Sequence, residues 1–235
     1  MNIALLQLKA KKGNISYNIE NHLNWIERVA SHDPDLIVFP ELSITGYEPT
    51  LAGELAFEVN DARFNPFHSV GISLNCVIAI GIPLKVTTGV QIAMLIIQPN
   101  NPRNTYAKQW LHHDENPYFI RGLNQTIITI DQTDITPAIC YESIQPNHLA
   151  KCLSIGTDIY MASVCKHAKG IVIAHNYYSQ MAARNEIPVL VVNSVGHCDN
   201  FVSSGQSAIW NSKGKLISKL DSKKEGFIIY NNHLV

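Results

Sequence analysis

No apolar run in this 235-residue chain approaches the roughly 18 residues that a membrane-spanning helix needs, so no transmembrane segment is expected. The first apolar stretch, residues 3–8, is also too short for the core of an export signal. Charge is scarce and balanced: Lys plus Arg total 18 and Asp plus Glu 19, a formal net charge of -1. Such a surface has no general attraction for nucleic acid or an anionic membrane, and neither is expected as a partner. The five cysteines are odd in number and widely spaced, which argues against a disulfide framework and makes a cytoplasmic protein the expectation. The best candidates for a metal site are Cys165, His167, His197 and Cys198. Their spacing matches none of the usual paired-ligand patterns, so they read as packed cysteines beside surface histidines, and no metal is expected.

What the chain does have is 46% hydrophobic residues, arranged in short Val- and Ile-rich runs that alternate with helical patterns. No Gly/Ser-rich or charged linker divides them, so residues 1–235 read as one α/β domain. Strands are expected at 3–8, 35–39, 77–82, 91–98, 104–108, 127–130, 135–140, 158–162, 188–193, 207–210, 215–220 and 226–230. Asn14 offers an N-cap for a helix with Ile19, Leu23, Ile26 and Ala30 on one face. Further helices are expected at 146–155 and at 170–185, the latter presenting Ile171, Ala174, Tyr178 and Met181. So many short strands imply two sheets packed face to face with helices outside.

Three chemically useful side chains stand at ends of apolar strands: Glu41 after DLIVFP, Lys108 after NTYA and Cys140 after ITPAI. Strand ends are where an α/β fold can hold side chains rigidly against a ligand. A thiol needs help to attack at neutral pH, because its ordinary pKa is about 8.5. A carboxylate can take its proton and an ammonium can favour the developing charge, so the trio has the parts of a nucleophilic site.

The segments FPELSITGYEP, YAK and ICYES resemble the three signature segments of the nitrilase superfamily, the carbon-nitrogen hydrolases with a Glu-Lys-Cys triad. The opening IALLQL and the later RNEIPVLVVNSVG and SSGQSAIWNSKGKLIS are similar to the family as well, so the resemblance covers nearly the whole chain. It implies a four-layer αββα sandwich of two mixed β-sheets flanked by helices, usually paired as a homodimer or higher homo-oligomer. It also implies a second active-site carboxylate in LHHDENPYF, at Glu115 with Asp114 as the rival, and a structural acid at Glu142. Function follows as hydrolysis of a small amide without cofactor or metal: Cys140 attacks, Glu41 moves the proton, and Lys108 with the backbone N–H of Tyr141 holds the oxyanion.

Tyr47, Tyr118, Phe119, His167 and Asn193 are pocket candidates by location. The chain departs from the family at Ala107, where many relatives have arginine, and at Ser143 to Asn147, where many have arginine followed by FPE. Carboxylate binding is therefore not transferred from those positions. Tyr141 in place of tryptophan beside the cysteine is more similar to the amidases than to the nitrilases, while nitrile and N-carbamoyl substrates stay open. Two other readings are a papain-like pairing of Cys140 with His148, His167 or His175, and a non-catalytic binding protein that keeps the fold.

Overall fold

A computed structural model describes residues 1–232, so the last three residues of the expected 1–235 unit lie outside the described part. Two six-stranded mixed sheets carry the fold. The first runs in the order Gly226–Asn231, Asn2–Gln7, Leu36–Val38, Val77–Val86, Gly89–Ile97, Asn104–Ala107. The second runs Leu216–Lys219, Ala208–Trp210, Val189–Asn193, Ile159–Val164, Thr133–Ile139, Ile128–Ile130. In each, the central strands are parallel and the outer ones antiparallel. The two parallel centres send their carboxyl ends toward one rim, and the chemistry gathers there.

The layering follows from the two-residue period of a strand. Ile3, Leu5, Leu36 and Val38 face the second sheet and meet its Met161 and Leu190, whereas Ala4 and Leu6 face outward beneath Trp25, Ile26 and Val29. On the second sheet Tyr160 and Ala162 face outward onto Ile171, Ala174 and Tyr178. Strands covered on both faces need apolar side chains at every position, which is why their sequences run continuously rather than alternating. The result is the expected four-layer αββα sandwich. Among the described residues no helix is long and apolar enough to cross a membrane.

The Pro146–Ser154 and Ala168–Asn185 helices fall on the expected segments, and the latter buries Ile171, Ala174, Tyr178 and Met181. Asn14 caps the Ile15–Val29 helix by accepting from the Tyr17 N–H. The buried face of that helix differs from the expected one: Asn18, His22, Trp25, Ile26 and Val29 lie innermost, and Ile19 and Leu23 only flank them. Two polar residues turn inward because the loop after Leu36–Val38 gives them partners. Asn18 Nδ2 donates to the carbonyls of Lys11 (2.8 Å) and Ile44 (2.9 Å). His22 bonds the Asn18 carbonyl (2.6 Å) and Ser43 Oγ (2.9 Å), and its ring stacks on Phe39 at 4.2 Å. Burial lowers the His22 pKa to about 3, so the ring is a neutral brace. The short helices Ala52–Leu55 and Asn65–Leu74 and the Val195–Cys198/Phe201–Ser204 hairpin were not expected, since their brief, polar-interrupted segments carry no clear period.

The same loop lies hard against the neighbouring strand at Gly81. A Cβ there would sit 2.3 Å from the Pro40 carbonyl oxygen and 2.4 Å from the Leu42 nitrogen, so only glycine lets the backbone around Glu41 come this close. Gly81→Ala is expected to destabilise the protein by about 1–3 kcal/mol, the usual cost of overpacking, in chemical denaturation. Gly53→Ala, where an added Cβ meets nothing within 4 Å, is the control and should leave the midpoint unchanged or slightly raised. Equal midpoints for the two variants would contradict the close-approach argument.

Candidate active site

Three loops meet where the strands end. Lys108 Nζ donates to Glu41 Oε1 at 2.8 Å and to Glu115 Oε1 at 2.6 Å. All three are buried, with Lys108 fully enclosed. Of the two acids in LHHDENPYF, Glu115 is the one that reaches Lys108, while Asp114 is exposed and bonds His112 Nδ1. Glu115 is fixed further by the Tyr47 hydroxyl on Oε1 (2.9 Å) and the His112 N–H on Oε2 (2.8 Å). Glu41 Oε2, by contrast, is buried and has no partner among the described residues.

Cys140 leaves the Thr133–Ile139 strand in a left-handed conformation, φ 51°, and begins the 3₁₀ turn Cys140–Ile144. A non-glycine residue is uncommon in that region, and such a sharp turn from strand to helix lifts a side chain out of the sheet. Tyr141 occupies the second position of the turn, where an N–H has no intrahelical acceptor. Cys140 lines a cavity of 420 Å³ together with Tyr47, Glu115, Tyr141, Lys166, His167 and Phe201.

Electrostatics set the resting protonation. Burial raises the Glu41 carboxyl above its ordinary value, and Glu115 adds to this, while Lys108 and the Cys140 thiol draw it back. Burial opposes the Lys108 charge, but Glu41 and Glu115 together outweigh it and hold the ammonium above the ordinary lysine value. Burial and then Glu41 push the Cys140 thiol up to about 11, against the offsetting pull of Lys166 and Lys108. The resting sulfur is therefore a thiol, and Lys108 is already engaged by two carboxylates.

Glu142 lies outside the cavity and ties the Lys108 loop to the Cys140 turn. Its Oε1 accepts from the Ile139 N–H (2.7 Å) and the Tyr106 hydroxyl (2.7 Å), and its Oε2 from the N–H groups of Gln109 (2.6 Å) and Trp110 (3.2 Å). One carboxylate thus holds the residue before Cys140 and the two residues after Lys108. Burial still pushes Glu142 up to about 7 against these donors.

Several expected pocket residues are elsewhere. Tyr47 and His167 line the cavity, but Tyr118 is exposed and Phe119 is packed into the core between the sheets. Asn193 is fully buried as a backbone anchor, donating to the carbonyls of Gly205 (2.7 Å) and Lys166 (3.1 Å), because the end of its strand needs those carbonyls satisfied. Lys166 was not anticipated; the available signal was a lysine just past a buried strand. Cys165 and Cys198 are buried with their sulfurs 3.2 Å apart, whereas His167 and His197 are exposed, and the four do not converge. His148 is enclosed between Tyr106 and Tyr160 hydroxyls and His175 packs on Trp210, so neither borders the Cys140 cavity.

Removing Glu142 strands buried N–H groups on both loops. Glu142→Ala is expected to cost on the order of 3 kcal/mol or more, since each unsatisfied buried donor costs about 1–3 kcal/mol. Glu142→Gln, which keeps an acceptor oxygen, should lose less. Thermal and denaturant unfolding of the pair read this out, and a Glu142→Ala protein as stable as the parent would contradict it.

The family model for carbon-nitrogen hydrolases matches residues 2–233. The chain is 26% identical over 250 residues to a protein named as a probable nitrilase from Schizosaccharomyces pombe, covering 97% of this chain and 87% of that one. It is 24% identical over 236 residues to 2-oxoglutaramate amidase from Bacillus subtilis, covering 96% and 88%. It also matches glutamine-dependent NAD(+) synthetases from Aquifex aeolicus and Thermotoga maritima, of which it spans 41% and 39%. Among solved structures, the amidase from Nesterenkonia sp. AN1 shares the fold with a TM-score of 0.89 at 16% identity, over 98% of this chain and 92% of that one. A family match running almost end to end makes this chain a carbon-nitrogen hydrolase of the nitrilase superfamily, and its fold is shared with a solved amidase.

Proposed function

We propose that this protein hydrolyses small linear amides through a thioester on Cys140, releasing ammonia or an amine and a carboxylic acid. The observation that supports this most strongly is the buried contact of Lys108 with both Glu41 and Glu115 beside the cavity that Cys140 lines. In this reading the Cys140 sulfur bonds to the amide carbon while its proton passes to Glu41. With the thiol held near 11, little free thiolate exists at neutral pH, so proton transfer accompanies the attack. An ammonium has three donors. Two of those on Lys108 are taken by carboxylates, and the third, with the Tyr141 N–H, is available to the oxyanion. That contact strengthens as charge develops on the oxygen, which is what lowers a barrier.

Glu41 then returns the proton to the departing nitrogen as the carbon–nitrogen bond breaks, leaving the acyl group on sulfur. Water attacks the thioester and gives its proton to Glu41, the sulfur–carbon bond breaks, and the proton returns to Cys140. The acid product leaves and the site is restored. Three of the relatives are named for compounds with a terminal amide, two for glutamine and one for 2-oxoglutaramate, which favours amides as substrates. Another is named as a probable nitrilase, so nitriles belong in the same panel, together with N-carbamoyl amines.

Ammonia release across short amides, nitriles and N-carbamoyl amines tests the reading, with mass spectrometry of the protein during turnover. An acyl adduct on Cys140, absent in Cys140→Ala, is the expected result; turnover that survives Cys140→Ala would overturn it. Lys108→Met, which removes an oxyanion donor, is expected to lower kcat by about 10²–10³. The pH dependence has a definite sign. Glu41 serves as base only when ionised, and its carboxyl is raised, so kcat/KM should fall on the acid side with an apparent pKa above the ordinary 4.5. An acid limb at or below that value would contradict Glu41 as the base.

A further inference from the structure

Lys166 stands two residues beyond the Ile159–Val164 strand, which runs parallel to the Thr133–Ile139 strand that delivers Cys140. It therefore emerges at the same rim, and it borders the same 420 Å³ cavity. Only 9% of Lys166 is exposed, yet its ammonium has no hydrogen bond or ion pair among the described residues. Lys108, fully enclosed nearby, is held by two carboxylates. The Lys166 nitrogen is not sealed off, so it stands open to the cavity with no protein counter-charge, free to meet an anionic group.

The backbone of Lys166 is clamped. Its N–H donates to Asn193 Oδ1 (2.8 Å), and its carbonyl accepts from Asn193 Nδ2 (3.1 Å), Ser203 Oγ (3.2 Å) and the Ser204 N–H (3.0 Å). Asn193 ends the next parallel strand, so the lysine is fixed by the sheet itself. The turn that carries Cys140, CYESI, contains no cation. Asp114, another acid at the cavity, is exposed and bonded to His112. Tyr47, Ile144 and Phe201 supply apolar wall. A cavity with a nucleophile, an apolar wall and one unpaired cation fits a short chain with an amide at one end and an anion at the other.

We propose that Lys166 is a specificity-determining residue, and that the site takes short amides whose far end carries a carboxylate, held by the Lys166 ammonium while Cys140 meets the amide carbon. This rests on the amide-hydrolase reading above. Lys166 then supplies recognition rather than chemistry, and Asn193 acts through it as a positioning residue.

Succinamate and butyramide, which have the same chain length and differ in the terminal charge, are the probes. The parent enzyme should prefer succinamate in kcat/KM. Lys166→Met should lower that preference by about tenfold or more, the scale expected for losing a charged hydrogen bond, with the loss falling on KM. Lys166→Arg should retain most of it, which guards against a folding defect in the first variant. A preference for butyramide in the parent, or equal losses for both amides in Lys166→Met, would overturn the proposal; equal losses would make Lys166 a partner of the thiol instead. Calorimetry separates this from failure of the amidase reading. Cys140→Ala should bind succinamate more tightly than butyramide, and Cys140→Ala/Lys166→Met should not, whether or not either amide is turned over; binding without that difference refutes the anion site.

Discussion

One ammonium shared by two carboxylates in a place that water scarcely reaches is the interaction on which the rest of this structure depends. Lys108 could not stay charged in so enclosed a position without Glu41 and Glu115, and the two acids could not be ionised together without Lys108. Removing a partner from such an array leaves an uncompensated buried charge, so the three side chains form a unit. Burial works against the charge on Glu41, and burial together with Glu41 raises the neighbouring thiol.

Holding that unit together takes structure well beyond it. Glu41 sits on a loop pressed against Gly81 and braced from the far side by Asn18 and His22. Ser163 Oγ donates to the Phe39 carbonyl at 2.9 Å, tying the second sheet to the same loop. Glu142 joins the Lys108 loop to the Cys140 turn through three backbone N–H groups. These ties are short and buried, and they link segments far apart in the chain. A proposed reaction that needs sulfur, carboxylate and ammonium in register has its positional demands met by such second contacts.

Much of the fold was legible because strands covered on both faces have a plain signature. The Val- and Ile-rich runs at 77–82, 91–98 and 188–193 locate strands within a few residues of their observed ends. The face of the Ile15–Val29 helix was misread because hydrophobic spacing cannot anticipate that Asn18 and His22 find partners in a loop 20 or more residues away. The pocket was harder still. Tyr118 and Phe119 lie close in sequence to Glu115, yet one faces solvent and the other the inter-sheet core. Asn193 was expected at the cavity and instead holds the main chain of Lys166, whose own role had no local sign beyond its place after a strand.

The sequence by itself determined the layer order and the candidates for the reactive groups, because apolar periodicity and residue chemistry are local properties. Strand ends marked Glu41, Lys108 and Cys140 as candidates, and the motifs around them carried the family resemblance. The choice of Glu115 over Asp114 as the partner of Lys108 belonged to the tertiary structure, as did the bridging by Glu142 and the unpaired state of Lys166 inside the cavity. Those depend on which distant side chains share a buried volume, and burial is what turns an ordinary charge into one that must be matched.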